Sequence, residues 1–307
     1  MEQVCYNNHM SIEYIKAKSI ISTNTAPDNG MWFSFDYNMN IYRGCMHGCI
    51  YCDSRSECYH IDNFGQVRAK TDAVEMIKTE LKKKRRKGIV ATGAMSDPYN
   101  PFEEKLELTR DALKAIDTYG FGVAIYTKSD LIVRDIDILS SINEFMPVLC
   151  CVTITTADDE LGKIIEPHAK LSSERFAAIK ALSDAGIFTG VLLTPTLPYI
   201  TDTPENIEAI VDLAKENGAS FIYAMYGVTL RDRQRKYFYS KLDESFPGTK
   251  NKYIASYGIK YYCESPNSRN LRGLLASKCK SNGILYRMKD IISGYKDGKG
   301  EKQISFL

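Results

Sequence analysis

The sequence lacks any long uninterrupted run of apolar residues, although 44% of its 307 residues are hydrophobic. No apolar stretch approaches the roughly 20 residues that a membrane-spanning helix requires, so we expect no membrane association. The chain also lacks a strong net charge. Its formal value is +2, so overall charge does not draw the protein to nucleic acid or to anionic membranes. The apolar content is ample for one large core, and the length suggests one or two domains.

A secretion signal is a second feature that the sequence lacks. The first ten residues, MEQVCYNNHM, have neither the basic nor the apolar region of a signal peptide, so we expect a cytoplasmic location. Disulfides are rare in that compartment. The nine cysteines are therefore expected to serve as metal ligands and as small buried side chains.

Three cysteines lie within eight residues of one another in the glycine-containing stretch GCMHGCIYC, at Cys45, Cys49 and Cys52. A structural zinc site normally has four ligands, and a cubic [4Fe–4S] cluster is normally held by four cysteines. Cys58 lies six residues further on and could complete a closed site. Two interpretations therefore stand: a cluster with one iron free to bind another molecule, or a closed zinc or electron-transfer site.

Helical patterns alternate with apolar, β-branched runs along most of the chain. After strands within 31–44, the predicted helices and strands are 71–86, 88–94, 108–120, 121–128, 131–143, 147–155, 173–186, 188–195, 203–218 and 220–227. We expect Thr109 and Thr203 to be the N-caps of two of these helices. Such strand–helix units of about thirty residues predict βαβ connections around a parallel sheet.

Six strands favour an α/β fold that forms a partial (β/α)6 TIM-like barrel, not a closed barrel of eight strands. A charged helix at 231–246 and the Tyr-rich, basic sequence after it predict an α-rich C-terminal extension. The expected organisation is an N-terminal extension (1–39), a core barrel (40–230) and a C-terminal extension with a flexible tail (231–307).

The C-x3-C-x2-C spacing, with Tyr51 before the last cysteine, resembles the signature of the radical S-adenosylmethionine (SAM) superfamily. Further stretches at 93–110, 126–139, 153–187 and 192–202 resemble the spore photoproduct lyase-like branch, and its broad uncharacterised group more than the lyase itself. The resemblance implies a [4Fe–4S] cluster on the three cysteines and SAM on the open iron. One electron would cleave SAM to a 5′-deoxyadenosyl radical, which abstracts hydrogen from a substrate.

The resemblance also implies which residues contact SAM at its two ends. Tyr51 would pack near the adenine, the alternative being a core aromatic. Ser96 and Asp97, after the second strand, would bind the amino group, although Asp97 before a proline also suits a turn. Lys128, at the end of the third strand, would pair with the carboxylate.

Four more residues are expected near the same cofactor. Thr153 and Thr155 occupy alternate positions of one strand and so share a face, from which they would reach the ribose hydroxyls. Glu166 and Arg175 match family positions near the SAM pocket, and a structural ion pair is an equal alternative.

One departure from the lyase bears on the reaction. Spore photoproduct lyase carries a cysteine just before its Thr-Ser-Asp, whereas this chain has Ala94 before Met95, Ser96 and Asp97. We therefore assign no catalytic residue and do not expect the lyase reaction itself. Nucleic acid, in a reaction of the DNA repair type, is the substrate class that the resemblance suggests. Radical modification of a peptide or metabolite, and a non-catalytic iron–sulfur or zinc module, are the alternatives.

Partners are suggested by three further features. The chemistry implies a reductant such as flavodoxin or ferredoxin. Arginines and tyrosines interleave in 231–239 and 261–273, which suits either stacking on unpaired bases or ordinary packing, whereas the basic run 82–87 is expected to be a solvated helix end. Gln303–Leu307 (QISFL) resembles the peptide by which bacterial repair proteins bind the DNA sliding clamp, and folding back onto the body is the alternative.

Overall fold

The computed structural model describes residues 12–24 and 32–297. Its strands are β1 (Glu13–Ile15), β2 (Ile21–Thr23), β3 (Tyr37–Met39), β4 (Tyr42–Arg43), β5 (Arg68–Lys70), β6 (Ile89–Thr92), β7 (Gly122–Thr127), β8 (Val148–Thr153), β9 (Thr189–Leu193), β10 (Phe221–Ala224), β11 (Gly227–Thr229) and β12 (Tyr262–Glu264). Its α-helices are α1 (Ala73–Lys83), α2 (Glu103–Leu106), α3 (Leu108–Thr118), α4 (Ile136–Phe145), α5 (Asp159–Ile165), α6 (Ser172–Asp184), α7 (Pro204–Glu216), α8 (Asp232–Ser245), α9 (Thr249–Tyr257), α10 (Ser268–Asn282) and α11 (Met288–Lys296).

The main sheet has seven strands in the order β10-β9-β8-β7-β6-β3-β2. Six of these strands run parallel to one another, namely β3, β6, β7, β8, β9 and β10. The seventh, β2, pairs with β3 in the antiparallel sense. Helices connect the parallel strands, so the structure confirms the predicted α/β partial barrel. Because the strands are parallel, their carboxyl ends lie at one edge of the sheet, where barrels of this kind assemble their sites.

The central strands are buried along their whole length, as the apolar run 147–155 predicts. Every residue of β7, β8 and β9 is buried, because helices and the opposite wall of the barrel cover both faces. Cys150 and Cys151 belong to this core, in agreement with a role as small buried side chains. These strands form a rigid frame for the loops that follow them.

Of the two predicted helix caps, one is confirmed and one is wrong. The Thr203 hydroxyl accepts a hydrogen bond from the Asn206 N–H, and Pro204 occupies the first turn of α7. Thr109 instead lies inside α3, where its buried hydroxyl donates to the Pro98 carbonyl at 2.7 Å. The Thr109 hydroxyl thus contacts the preceding loop and does not cap the helix, as the local pattern predicts that it would.

The C-terminal part contains α8 to α11 and a small antiparallel pair formed by β11 and β12. β2 and β3 precede residue 40, and both pair within the main sheet. The expected domain boundaries stay a prediction. No helix among the described residues is long and apolar enough to cross a membrane. The segment Gln303–Leu307 lies outside the described residues.

Candidate active site

The cysteine loop begins directly after β4 and is held by a tight backbone turn. Gly44 has φ +85°, and a Cβ there would lie 2.5 Å from the Gln66 carbonyl oxygen. Only glycine fits both conditions. The Cys45 N–H donates to the Phe64 carbonyl at 2.9 Å, and the Ile50 N–H donates to the Ile165 carbonyl at 2.9 Å. The loop is therefore clamped from two sides.

Gly48 gives the middle of the loop the same freedom. Its φ is +71°, and a Cβ there would lie 3.0 Å from both Pro167 and His168. The His168 N–H also donates to the His47 carbonyl at 3.1 Å. Gly44 and Gly48 thus let the backbone of the cysteine loop pass close to neighbouring segments of the chain.

The three thiols are buried to different degrees. Cys49 is buried, and Cys45 and Cys52 are partly exposed. Burial raises the pKa of the Cys45 thiol to about 12 and also raises the pKa of Cys49 and Cys52. The thiols are therefore protonated when free, and metal binding must displace their protons.

The chemistry of the cysteine loop, three thiols within one short stretch, is that of iron–sulfur ligands. Among the described residues, no three Cys, His, Asp or Glu side chains form a group that could hold a single metal ion. Cys58 is exposed, and its sulfur accepts from the Ser56 hydroxyl at 3.2 Å. Three thiols on a glycine-rich loop are the ligand type that a [4Fe–4S] cluster uses.

Asp97 connects the cysteine loop to the end of β7. Its carboxylate lies 2.9 Å from His47 Nε2 and accepts hydrogen bonds from Thr127 Oγ1 (2.7 Å) and from the backbone N–H groups of Lys128 (2.8 Å) and Tyr99 (2.9 Å). Burial alone would raise the pKa of Asp97, but His47 and these donors hold it below its ordinary value. A carboxylate can accept about four hydrogen bonds. Protein groups therefore already contact the Asp97 oxygens that the sequence predicts will bind the SAM amino group.

The neighbouring Ser96 is likewise occupied, since its hydroxyl donates to the Gly44 carbonyl. Ser96 thereby joins the loop after β6 to the first residue of the cysteine loop. Like Asp97, it positions the loop, and a direct SAM contact of either residue stays a prediction.

Glu166 and Arg175 form a buried ion pair, the alternative that the sequence left open. Arg175 donates to Glu166 Oε2 at 2.6 Å and to the Thr153 carbonyl at 2.6 Å. The other Glu166 oxygen accepts from Tyr51 Oη and from Thr155 Oγ1. Tyr51 precedes Cys52, so this network fixes the last cysteine, and cofactor contacts of its members stay a prediction.

A cavity of about 300 Å³ opens at the carboxyl ends of β6 to β9. Of the residues expected to bind SAM, it is lined by Asp97, Lys128 and Thr153, whereas Tyr51, Ser96, Thr155, Glu166 and Arg175 lie outside its lining. Its volume is at the lower end of the range for small-molecule sites. A larger groove of about 560 Å³ lies against Cys45 between α5 and α8, but the strand-end cavity occupies the position where barrels bind ligands.

Lys128 is the cation of this cavity. The side chain is partly buried, and its Nζ lies 5.7 Å from the centroid of the Tyr51 ring. Burial opposes its charge, but the Glu166 carboxylate, and Cys49 once it is deprotonated, outweigh that effect and raise the pKa of Lys128. The residue therefore stays an ammonium group at neutral pH, suited to an anionic part of a ligand.

Two lining residues were missed by the sequence reasoning. Gly93 has φ +100°, and a Cβ there would lie 1.9 Å from the Tyr126 carbonyl oxygen, so glycine alone permits this approach. Trp32 packs 6.2 Å from the Tyr126 ring and forms one wall. The glycine after an apolar strand was a usable signal for Gly93, whereas no local pattern brings Trp32 to this place.

The start of α8 grips the cysteine loop from outside the barrel. Arg231 bonds Asp53 at 2.6 Å, and Arg233 donates to the Arg55 carbonyl at 2.7 Å. The buried Gln234 side chain donates to the Tyr51 carbonyl at 3.1 Å. Arg231 and Arg233 therefore pack against the cysteine loop, and base stacking by the segment 231–239 stays a prediction.

Comparisons with known proteins identify the family of this chain. A family model described as the Radical SAM superfamily matches residues 39–214. An uncharacterized protein of Mycobacterium tuberculosis is 30% identical over 236 residues, which are 75% of this chain and 69% of the relative. One of Methanocaldococcus jannaschii is 30% identical over 241 residues, 78% and 86% of the two chains. The structure of spore photoproduct lyase complexed with dinucleoside spore photoproduct aligns with 89% of this chain and 80% of the lyase chain, with a TM-score of 0.65. The two chains are 13% identical, so this similarity is one of fold alone.

Proposed function

Because this chain belongs to the radical SAM superfamily, we propose that it is an enzyme whose Cys45, Cys49 and Cys52 hold a [4Fe–4S] cluster and whose strand-end cavity holds SAM. The observation that supports this most directly is the position of the cysteine loop. Asp97 contacts the loop through His47 and also lines the cavity that contains Lys128. One residue therefore joins the expected cluster site to the expected SAM site.

The bound cluster and SAM supply one-electron cleavage of SAM to a radical that takes hydrogen from a substrate. The chain's own residues bind and shield. The Lys128 ammonium attracts the carboxylate end of SAM, and the Thr153 side chain lines the same cavity. Trp32 and Leu192 provide apolar wall that excludes water from it.

Nucleic acid, in a reaction of the DNA repair type, is the substrate class that we propose. The resemblance to the spore photoproduct lyase-like branch and the shared fold support it. We do not propose the lyase reaction, because an exposed Ala94 follows β6 where that enzyme has a cysteine. Cys263 and Cys279 are each buried in the C-terminal part, which does not favour an additional cluster of the kind that peptide-modifying relatives carry.

Two partners follow as proposals from the same reasoning. A one-electron donor such as flavodoxin or ferredoxin would reduce the cluster. The DNA sliding clamp would bind Gln303–Leu307, and a synthetic peptide of residues 300–307 mixed with purified clamp tests this. Binding that survives replacement of Gln303 and Phe306 by alanine would argue against the motif.

The enzyme proposal is tested with reconstituted protein, SAM and dithionite. We expect 5′-deoxyadenosine from the native chain and from the Cys58→Ala variant, and none from Cys45→Ala, Cys49→Ala or Cys52→Ala. Lys128→Met should keep the cluster absorbance and weaken SAM binding about tenfold to hundredfold, the effect of losing a hydrogen bond to a charged group worth about 1.5–3 kcal/mol.

The controls separate the possible failures. Lys128→Arg should recover most of the affinity, because it restores the charge in the same cavity. A native protein with a full cluster and no 5′-deoxyadenosine would contradict the enzyme proposal. Unchanged SAM affinity in Lys128→Met would remove this residue from the site.

A further inference from the structure

A second, smaller cavity lies beside the SAM cavity, across the loop that follows β6. It has a volume of about 190 Å³ and is lined by Asn40, Arg43, Lys70 and Ser96, among others. Met95 and Ser96 face this cavity, whereas Ala94 and Asp97 of the same loop face the cavity of about 300 Å³. The two cavities therefore share one wall only a few residues thick.

The small cavity contains two positive charges without a paired carboxylate. Arg43 donates to the His60 carbonyl, and neither it nor Lys70 forms an ion pair within residues 12–24 and 32–297. The amide of Asn40 likewise has no hydrogen-bond partner in that part of the chain. Three donor groups thus line one cavity without a protein anion to receive them.

A separate three-stranded sheet, in the order β1-β5-β4, has a register that makes this concentration of charge costly. Arg43 of β4 lies directly opposite Arg68 of β5, and like charges in that position repel each other. Lys70 lies two residues beyond Arg68, on the same face of the strand. The Nε of Arg68 is buried without a hydrogen-bond partner. A bound anion would relieve this repulsion.

The same surroundings change the pKa of Lys70. Burial lowers its pKa, the nearby Arg43 lowers it further, and Glu80 partly opposes them. Glu80 is occupied elsewhere, since its carboxylate accepts from the backbone N–H groups of Ile20 and Ile21. The Glu80 carboxylate is therefore held at the start of β2, and the cavity keeps its positive charge.

We propose that Arg43, Lys70 and Asn40 form a subsite for a phosphate group of the substrate, and this rests on the proposed function. The combined charge of Arg43 and Lys70 is +2, which matches the about −1.5 to −2 of a phosphate monoester at pH 7. A guanidinium and an ammonium can contact two or three phosphate oxygens at once, whereas a carboxylate has two oxygens and a single negative charge. The substrate class is a nucleotide unit, held by its phosphate beside the SAM cavity.

The test measures binding of thymidine 5′-monophosphate to the full chain with its cluster and with SAM present. Thymidine is the ligand control. Arg43→Met and Lys70→Met should each weaken nucleotide binding at least tenfold, and Lys70→Arg should restore most of it. Lys82→Met removes one exposed charge from the basic run 82–87 and should change nothing.

Two DNA strands then distinguish the sources of the phosphate. One is a short single strand with a 5′-terminal phosphate, which is a monoester. The other is the same strand without that phosphate, so it contains only diesters. Dependence on Arg43 and Lys70 in the first strand alone assigns the site to a terminal phosphate or a free nucleotide. Dependence in both assigns it to the backbone of a nucleic acid.

A measurement on the native chain covers variants that fail to fold. Thymidine 5′-monophosphate should protect Lys70, and not Lys82, from acetylation followed by mass spectrometry. Binding that is absent, or that is insensitive to both variants with Lys70 unprotected, overturns the subsite. If 5′-deoxyadenosine forms in the same preparation, only the subsite falls; if nucleotide binds through Lys70 and no 5′-deoxyadenosine forms, only the radical chemistry falls.

Discussion

At the scale of single residues, the pair of Glu166 and Arg175 has the largest consequence for the cysteine loop. Glu166 is 2% exposed and Arg175 is 1% exposed, so both charges are removed from water. Such a pair is not by itself a net gain in stability, because desolvation offsets the attraction. Its value lies in position, since Glu166 also accepts the hydroxyl of Tyr51 beside Cys52.

Replacing Arg175 with methionine should destabilise the protein strongly. The change leaves the buried Glu166 without its counter-charge, a loss of about 3–5 kcal/mol in the free energy of unfolding. Urea denaturation measures it. The matched control is Lys163→Met, which breaks a solvent-exposed pair with Glu160 and should change the stability little. Equal small losses in the two variants would contradict the assigned role.

The loss caused by Arg175→Met should also depend on pH. Burial alone would raise the pKa of Glu166, but the charges of Arg175 and Lys128 hold it below its ordinary value of 4.5. A depressed pKa means that the stabilisation is complete above that ordinary value and disappears as the pH falls through the lower folded value. The unfolding free energies of the native and variant proteins should therefore converge in acid.

At the scale of elements, α8 acts as a brace on the cysteine loop. Its buried residues Gln234, Phe238 and Leu242 are spaced four apart and so lie on one face. Gln234 donates to the carbonyls of Tyr51 and Thr229, at 3.1 and 2.9 Å. The helix thereby holds the backbone carbonyl of the residue before Cys52, whereas Glu166 holds the hydroxyl of the same residue.

Removing the Gln234 side chain should loosen this loop without unfolding the barrel. Gln234→Ala leaves two carbonyls without their donor, at about 1–3 kcal/mol for each that stays dry. We expect faster amide hydrogen exchange in residues 51–61 and faster loss of the cluster absorbance in air. Lys236→Ala, an exposed position on the same helix, is the control. Similar exchange in both variants would show that α8 does not brace the loop.

The periodicity of the sequence predicts the barrel elements well, because their burial is regular. The run 147–155 contains β8, and the pattern 203–218 contains α7 with its cap. Prediction fails where tertiary contacts decide. The expected helix 131–143 begins as a 3-10 turn at Asp130–Asp135, and the strand 220–227 divides into β10 and β11, since the chain leaves the sheet to pair with β12.

At the scale of the whole molecule, only the local part of the site was predictable. The cysteine spacing and the residues at strand ends lie in short stretches, so a family resemblance finds them. The contact between Gln234 and Tyr51 joins residues 183 apart, and Trp32 reaches the cavity from outside the repeating units. No periodicity encodes such distances, because they result from how the C-terminal part folds back onto the barrel.

A bound cluster should stabilise the whole fold. The cysteine loop is tied to Phe64, Ile165 and α8, so a group that binds only the folded loop should stabilise all of these parts together. A ligand present at about 100 times its dissociation constant stabilises by about 2.7 kcal/mol, which corresponds to a rise of about 4 °C in Tm for a chain of this size. Anaerobic reconstitution should therefore raise the Tm of the native protein and of Cys58→Ser, and should leave that of Cys49→Ala unchanged. A Cys58→Ser variant that loses the shift would mean a closed, four-cysteine site, and the cluster would then have no open iron for SAM.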